Sequence, residues 1–541
     1  MITDMKQSTK LLGMIASGLL IVTSFSCKKF LDRKPLQATL QDVQAAQGTL
    51  EAQSLGLYYT LRTYGGFSSL PWIDMHSVRG DDATKGSDAN DGKEVIAEFE
   101  TFQYTKDDWA TDTYWNDHFY MINLANAEIH IGDSLKSSDP ATLRELGEAH
   151  FFRAYSFFEL VKAYGQVPLI NYYYVNPADG VRPKSTIDSL YAQIDADLDT
   201  ATRYLPLSVS EYGNNYAGRL TSGAANTLWA QTQLFRKNWG KVVSLCNTVI
   251  NSGQYTLLPN FSDIWKDGVF GQGKNSSESI FEMNAYAGVN AQSIGSQNQG
   301  QDGWGTAQQV RQDGAPLTWN LGWGWNVPTQ ALVNAWDSTD PRRNQTILFS
   351  GQFDGGTAQG GWGGTLPAYS DPLGTSGLAE KYWNKKLYTG NDPAQRAATG
   401  FQGGSGAAPW IDHRILRYAD VYLMLAEASN EVGDGATAAS ALEKIRNRAS
   451  GGLGATRTIV PPIAFVNQAQ MRTAIKKERL WEFAMEGYRF YDLVRWTPAT
   501  DGIDAPTVLV GLGYTSRNQY YPIPQPAIDI SGGVLKQNPN Y

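Results

Sequence analysis

Apolar residues recur at helical spacing along much of the chain, and the spacing predicts an α-rich protein. Across residues 143–164, Leu146, Ala149, Arg153 with Ala154, and Phe157 with Phe158 fall on one face. Phe119, Ile122 and Ala125 with Asn126 do the same across 115–131, and Ile187, Leu190, Ile194 and Leu198 across 185–205. Two further segments, 221–236 and 239–257, meet at a short turn after Lys237 and Asn238. Small residues on the first and apolar ones on the second are the pattern of a tetratricopeptide-like hairpin. In 242–250, Val242, Leu245, Cys246 and Val249 share a face, which makes Cys246 a small buried apolar residue. A second hairpin is predicted at 414–430 and 436–449, and a last helical pair at 468–487 and 488–495. Stacked helix pairs of this kind build a scaffold with a concave side.

Between the hairpins, residues 258–412 lose this periodicity. The stretch 351–364 (GQFDGGTAQGGWGG) has seven glycines in 14 residues. A structureless loop of such length is unusual in a compact domain. The span therefore reads as a loop-rich subdomain with short strands, the place where function can vary on a fixed frame. Inside it, 317–329 (LTWNLGWGWNVPT) places Trp319, Leu321, Trp323 and Trp325 at alternating positions. As a strand they would share one face, either as core or as an aromatic platform. The tail, 519–541, carries four prolines and is expected to lie extended on the body.

Composition narrows the partner classes. The net charge of −8 argues against a nucleic-acid binder, which needs a basic face. Only 18% of residues are charged, while 54 are Gly and 16 Trp, which suits neutral polar ligands better than ionic ones. The two cysteines, Cys27 and Cys246, make no disulfide framework. Lys6 and Lys10 precede an apolar run at 11–25 that is short for a bilayer span of about 20 residues. Residues 1–26 thus read as a signal segment, and Cys27 behind it as the lipidated N-terminus of a bacterial lipoprotein, although Ser24, Phe25 and Ser26 form a loose lipobox.

Several long stretches carry a resemblance. They are CKKFLD at 27–32, WNDHFYMINLAN at 115–126, RELGEAHFFRAYSFFELVKAYGQVPL at 144–169 and NVPTQALVNAWDSTDPR at 326–342. The most specific are RYADVYLMLAEA at 417–428, IKKERLWEFAMEGYRFYDLVRW at 475–496, YYPIPQPAI at 520–528 and NPNY at 538–541. With these the chain resembles the SusD/RagB family of outer-membrane nutrient-binding lipoproteins. The resemblance implies a mainly α fold, about four tetratricopeptide-like helix pairs with a loop-rich binding face. The implied regions are the signal at 1–26, an N-terminal helical region at 27–257, the Gly/Trp-rich span at 258–412 and a C-terminal region at 413–541. It further implies a lipid-anchored, outward-facing protein that captures oligosaccharides and passes them to a SusC-like TonB-dependent transporter. No catalysis is expected, and some members take peptides or other nutrients instead.

The candidate chemistry follows. A pyranose has apolar C–H faces that an indole covers and a polar rim for Asn, Asp or Arg. Trp72, Trp304, Trp319, Trp323, Trp325 and Trp362 are the aromatic candidates, with Asp81, Asp82 and Asn320 for hydroxyls. The helix-borne Trp115, Trp229, Trp239, Trp336, Trp481 and Trp496 read as core. Glu478, Glu482 and Glu486 recur at i, i+4, i+8; a glycosidase pair fits that spacing numerically, but ion pairing with Lys476, Lys477, Arg479 and Arg489 is the simpler reading. Asp81, Asp82, Asp88, Asn90 and Asp91 crowd one loop, where a structural calcium is conceivable, but EF-hand spacing fails. The near-match to a phosphate loop at 268–275 lacks its Ser/Thr, GGSGA at 403–407 lacks the last glycine of a nucleophile elbow, and the five histidines show no metal spacing. A surface glycosidase and a binder of peptides or other non-sugar nutrients remain the rivals to a glycan binder.

Overall fold

The computed structural model describes residues 49–87, 91, 96–213, 217–266, 273–285, 300–312, 318–356, 361–370, 377–391, 411–452 and 457–541. The signal segment, Cys27, Asp88, Asn90, most of 268–275 and all of 403–407 lie outside them. The principal helices are α1 (Leu50–Thr63), α2 (Leu70–His76), α3 (Trp109–Leu135), α4 (Pro140–Tyr164), α5 (Ile187–Tyr204), α6 (Ser222–Phe235) and α7 (Trp239–Asn251). After α8 (Gly300–Ala307) come α9 (Tyr418–Glu431), α10 (Gly435–Ala449), α11 (Gln468–Phe483) and α12 (Arg489–Arg495). Their starts are written in the sequence. Asp139, Thr186, Thr221 and Asp434 cap α4, α5, α6 and α10 through side-chain oxygens that accept from a backbone N–H, and Pro140 opens α4. Gly165, at φ +72°, ends α4 against the ring of Tyr520.

The long helices stack as neighbours: α3 on α4, α4 on α5, α5 on α6, α6 on α7 and α9 on α10, with α11 against α9 and α10. Helix α9 packs on α7 although the whole Gly/Trp-rich span separates them in the chain. The predicted apolar face of α7 is the buried one: Val242, Leu245, Cys246 and Val249. The result is the mainly helical, paired-helix architecture expected from the sequence.

Among the described residues, six short strands serve the loop-rich span. They are β1 (Ala83–Gly86), β2 (Ser279–Met283), β3 (Trp325–Pro328), β4 (Ile347–Phe349), β5 (Tyr382–Asn384) and β6 (His413–Arg417). They pair antiparallel as β1–β3, β2–β6 and β4–β5. Residues 414–417, expected as the first turn of a helix, instead form β6 and pair with β2. That ribbon closes the root of the span, because β2 lies near its start and β6 just after its end.

A buried ion network joins the span to the helical frame. Glu482 meets Arg342 (3.1 Å), Arg417 (2.7 Å) and Arg448. Glu478 binds Arg342 (2.7 Å) and Arg446 (2.6 Å), and Glu486 binds Arg417 (2.8 Å) and Lys386 (2.6 Å). Ion pairing is therefore what this carboxylate row does. The partners come from distant elements, whereas Arg479 and Arg489 turn to Asp420, Asp492 and Asp81. The tail straps the frame: Tyr521 N–H donates to Ala163 C=O (2.8 Å), and Asn538 Nδ2 donates to Tyr164 C=O (2.9 Å). Fully buried Arg79 lies 3.7 Å from the Phe490 ring centroid and 3.9 Å from that of Tyr521.

Candidate ligand-binding site

The alternation expected of 319–325 breaks at two residues. Gly324 has φ +75°, a left-handed conformation that ends the alternation just before β3, and Asn326 inside β3 has φ 54°, a local irregularity of that strand. Only Trp325–Pro328 is strand. Trp319 and Leu321 turn into a small core with Leu366, Trp383 and Tyr388, where Trp319 stacks on Tyr388 at 6.5 Å and 2°. Trp325 is 9% exposed and joins the main core. Trp323 alone of the four is half-buried, its ring at 5.3 Å and 62° to that of Trp325. One shared face is thus replaced by two cores and one surface indole.

Trp72 and Trp304 also belong to the interior, at 5% and 4% exposure. Trp72 stacks on His76 (4.6 Å, 3°), Trp304 stacks on His413 (4.1 Å, 26°), and the two indoles meet edge to face at 4.9 Å. Burial pushes His413 down to about 3, so it is a neutral packing group at physiological pH. Such rings have no face free for a sugar. Asp82 accepts from the Met485 N–H (3.0 Å) inside the protein, and burial, then neighbouring Asp81, lifts its acid to about 6. Asp81 grips Arg489 in a bidentate pair. Both are fold-holding contacts that the loop composition did not reveal. Asn320 is half-buried. Of the tryptophans read as core, Trp115, Trp336 and Trp496 are buried and Trp229, Trp239 and Trp481 partly so.

Around Trp323 the structure gathers polar groups. β3 sets Trp325 opposite Gly86 on β1, so close that a Cβ on Gly86 would fall 2.5 Å from the Gly324 carbonyl oxygen. Arg311 Nη1 donates to Ser87 Oγ (2.5 Å) and pairs with the Asp91 carboxylate, which also accepts from Ser87 Oγ (3.0 Å). Lys85 Nζ donates to the Asp91 carbonyl (2.6 Å). A Cβ on Gly324 would fall 2.7 Å from Arg311 Cβ, so the absence of a side chain lets the guanidinium sit against this turn. Arg311 and Asp91 keep roughly a quarter and a third of their side chains exposed. Ala379 N–H donates to Arg311 C=O, and the next residue, Glu380, is lifted to about 7 by burial, with Lys85 opposing. A half-buried indole next in the chain to a turn that packs against a fixed guanidinium, carboxylate and hydroxyl is the composition of a site for a neutral polyhydroxylated ligand. Asp91 was legible as part of an acidic loop. Arg311, 12 residues before Trp323, carried no local signal.

Trp362 is half-buried on a neighbouring loop that one residue organises. Asp354, 2% exposed, accepts from the N–H groups of Gly356 (3.0 Å), Trp362 (2.8 Å), Gly363 (3.0 Å) and Gly364 (3.1 Å), and from Tyr388 Oη (3.3 Å). Trp362 Nε1 donates to the Tyr388 carbonyl (3.1 Å). Backbone donors converging on one carboxylate give the glycine-rich stretch a fixed shape. Phe353 next to it is 59% exposed.

Among the described residues no group of three or more His, Cys, Asp or Glu is placed to hold a metal ion. Among them no helix is long and apolar enough to cross a membrane.

The SusD family model matches residues 277–541, and a second model, described as starch-binding associating with outer membrane, matches 29–234. The chain belongs to the SusD family. SusD-like protein P2 of Formosa agariphila is 25% identical over 476 residues, 86% of this chain and 87% of that one. A laminarin binding SusD-like protein of solved structure shares 25% identity at a TM-score of 0.69, covering 91% of this chain and 99% of its own. Surface glycan-binding protein A from Bacteroides thetaiotaomicron, solved in complex with laminarihexaose, superposes at a TM-score of 0.70 with 22% identity, over 91% and 99% of the two chains. That likeness speaks for the fold.

Proposed function

We propose that this SusD-family protein captures a neutral oligosaccharide at the cell surface, by binding and without turnover. It then delivers the ligand to a SusC-like TonB-dependent transporter. The observation that carries the reading is half-buried Trp323 next in the chain to Gly324, the glycine against which the side chain of Arg311 packs in its cluster with Asp91 and Ser87. The indole covers a C–H face of the sugar, and the cluster bonds its hydroxyls. The laminarin and laminarihexaose ligands of the structural relatives support a glucan as first probe. The ion pairing of Glu478, Glu482 and Glu486 supports the non-catalytic part, since each carboxylate is committed to buried cations. Cys27 carries the lipid that anchors the protein to the outer membrane with its binding face outward; Cys27→Ala should move it to the soluble fraction.

Affinity electrophoresis against neutral polysaccharides tests the reading. The wild-type protein is retarded by at least one glucan, and Trp323→Ala runs free of it. Retardation unchanged in Trp323→Ala would overturn the site. Release of reducing ends during the run would overturn the non-catalytic claim.

A further inference from the structure

The cavity of about 290 Å³ between the loop before α6 and strand β2 shares no residue with the Trp323 cluster. Its volume is at the lower end of the roughly 300–1,000 Å³ typical of small-molecule sites. Its lining mixes neutral hydrogen-bonding groups, Thr221, Gln254, Asn275, Ser276, Ser277 and Ser279, with apolar residues such as Leu207, Val209 and Ile280. Aromatic surface comes from Tyr255, half-buried, and Phe281, buried. Tyr255 is held in place, its hydroxyl 2.6 Å from Thr221 Oγ1 and its ring 5.9 Å from that of Tyr418. Gly223 makes room for it, because a Cβ there would lie 2.4 Å from the Tyr255 hydroxyl.

The charges in the wall are already matched. Arg219 donates to Glu148 (2.9 Å), and Glu282 accepts from Ser279 Oγ (2.8 Å) with Arg414 at 3.6 Å. Ser276 also lines the wall as a half-buried residue, with its Oγ enclosed. Matched charges, several hydroxyls and amides, and one tyrosine ring together select a small neutral polyol over an anion.

We propose that this cavity is a second carbohydrate subsite, sized for a single neutral hexose unit. It rests on the proposed glycan-binding function only for the choice of sugar probes. The test is saturation-transfer NMR on the mature chain with D-glucose, and with D-glucuronate as the anionic control. Trp323→Ala keeps a glucose signal, since the cavity is untouched. Ser276→Leu in the Trp323→Ala background reduces that signal at least fivefold. Gln254→Trp, at an exposed rim position, does the same by blocking the mouth and covers the case in which Ser276→Leu does not fold. Loss of all glucose signal in Trp323→Ala, persistence of it in the folded double variant, or an equal signal from glucuronate would each overturn the proposal. A laminarihexaose affinity unchanged in Trp323→Ala would count against the Trp323 site and leave the cavity assignment standing.

Discussion

Trp323 and Trp325 are two residues apart, and the proposed site gives them opposite roles that alanine replacement separates. Trp323 is half-buried and packs against the main core with part of its indole exposed; Trp325 is 9% exposed and lies in that core. A sugar ring on the exposed part of Trp323 hides about 80 Å² of indole, which at about 25 cal/mol per Å² contributes about 2 kcal/mol. Trp323→Ala should therefore weaken glucan binding roughly 30-fold. Its melting temperature should stay within about 2 °C of the wild type. Trp325→Ala removes a core indole, costs about 3–5 kcal/mol and lowers the melting temperature by about 3–5 °C for a body of this size. Titration calorimetry with laminarihexaose and differential scanning calorimetry read the two quantities on the same preparations. The assignment fails if Trp323→Ala binds as tightly as wild type, or if Trp323→Ala loses more stability than Trp325→Ala.

Glu482→Gln leaves Arg342, Arg417 and Arg448 around a neutral amide and should cost about 3–5 kcal/mol at pH 7. These cations hold the Glu482 carboxyl far below the usual range, so its stabilisation is present above the unfolded value near 4.3 and is lost as pH falls toward the folded one; equal stability of the variant at pH 7 would refute this. Asp354→Asn removes the charge on which four backbone N–H groups converge, and the loop from Gly356 to Gly364 should become the first site of limited proteolysis; an unchanged cleavage pattern would contradict its role. Burial raises Glu380 to about 7, so the folded chain binds its proton more tightly than the unfolded chain, and its contribution is lost as pH rises from about 4.3 through 7. Glu380→Gln should accordingly raise the melting temperature at pH 8, with the gain vanishing near pH 4; a gain equal at both pH values would refute the shift.

The helical frame was legible because each helix states its own boundaries and face. Thr186, Thr221 and Asp139 cap where the periodicity begins, and the α7 face read from spacing is the face buried. Local periodicity misled where a long-range partner decided. Residues 414–417 read as helix until β2 is there to pair with them. The Glu478–Glu486 row announced ion pairs, but Arg342, Arg417 and Arg448 arrive from elsewhere in the chain. The tryptophan run failed at Gly324 and Asn326, whose positive φ values send neighbouring indoles into different cores. Gly and Asn tolerate such φ values, so a signal existed, but a simple alternation count does not weigh it. Arg311 and Asp354 were invisible for a further reason. Each acts as a single residue in a weakly periodic span, and only the folded loop shows what converges on it.

The central claim is binding of a neutral glycan without chemistry. Calorimetric titration of the mature protein with laminarihexaose, maltohexaose and a peptide digest, followed by assay of the same cells for new reducing ends, tests it most directly. The account predicts saturable heat with at least one of the oligosaccharides, none with the peptides, and no new reducing ends. Heat with the peptides alone, or reducing ends that grow with time, would contradict it.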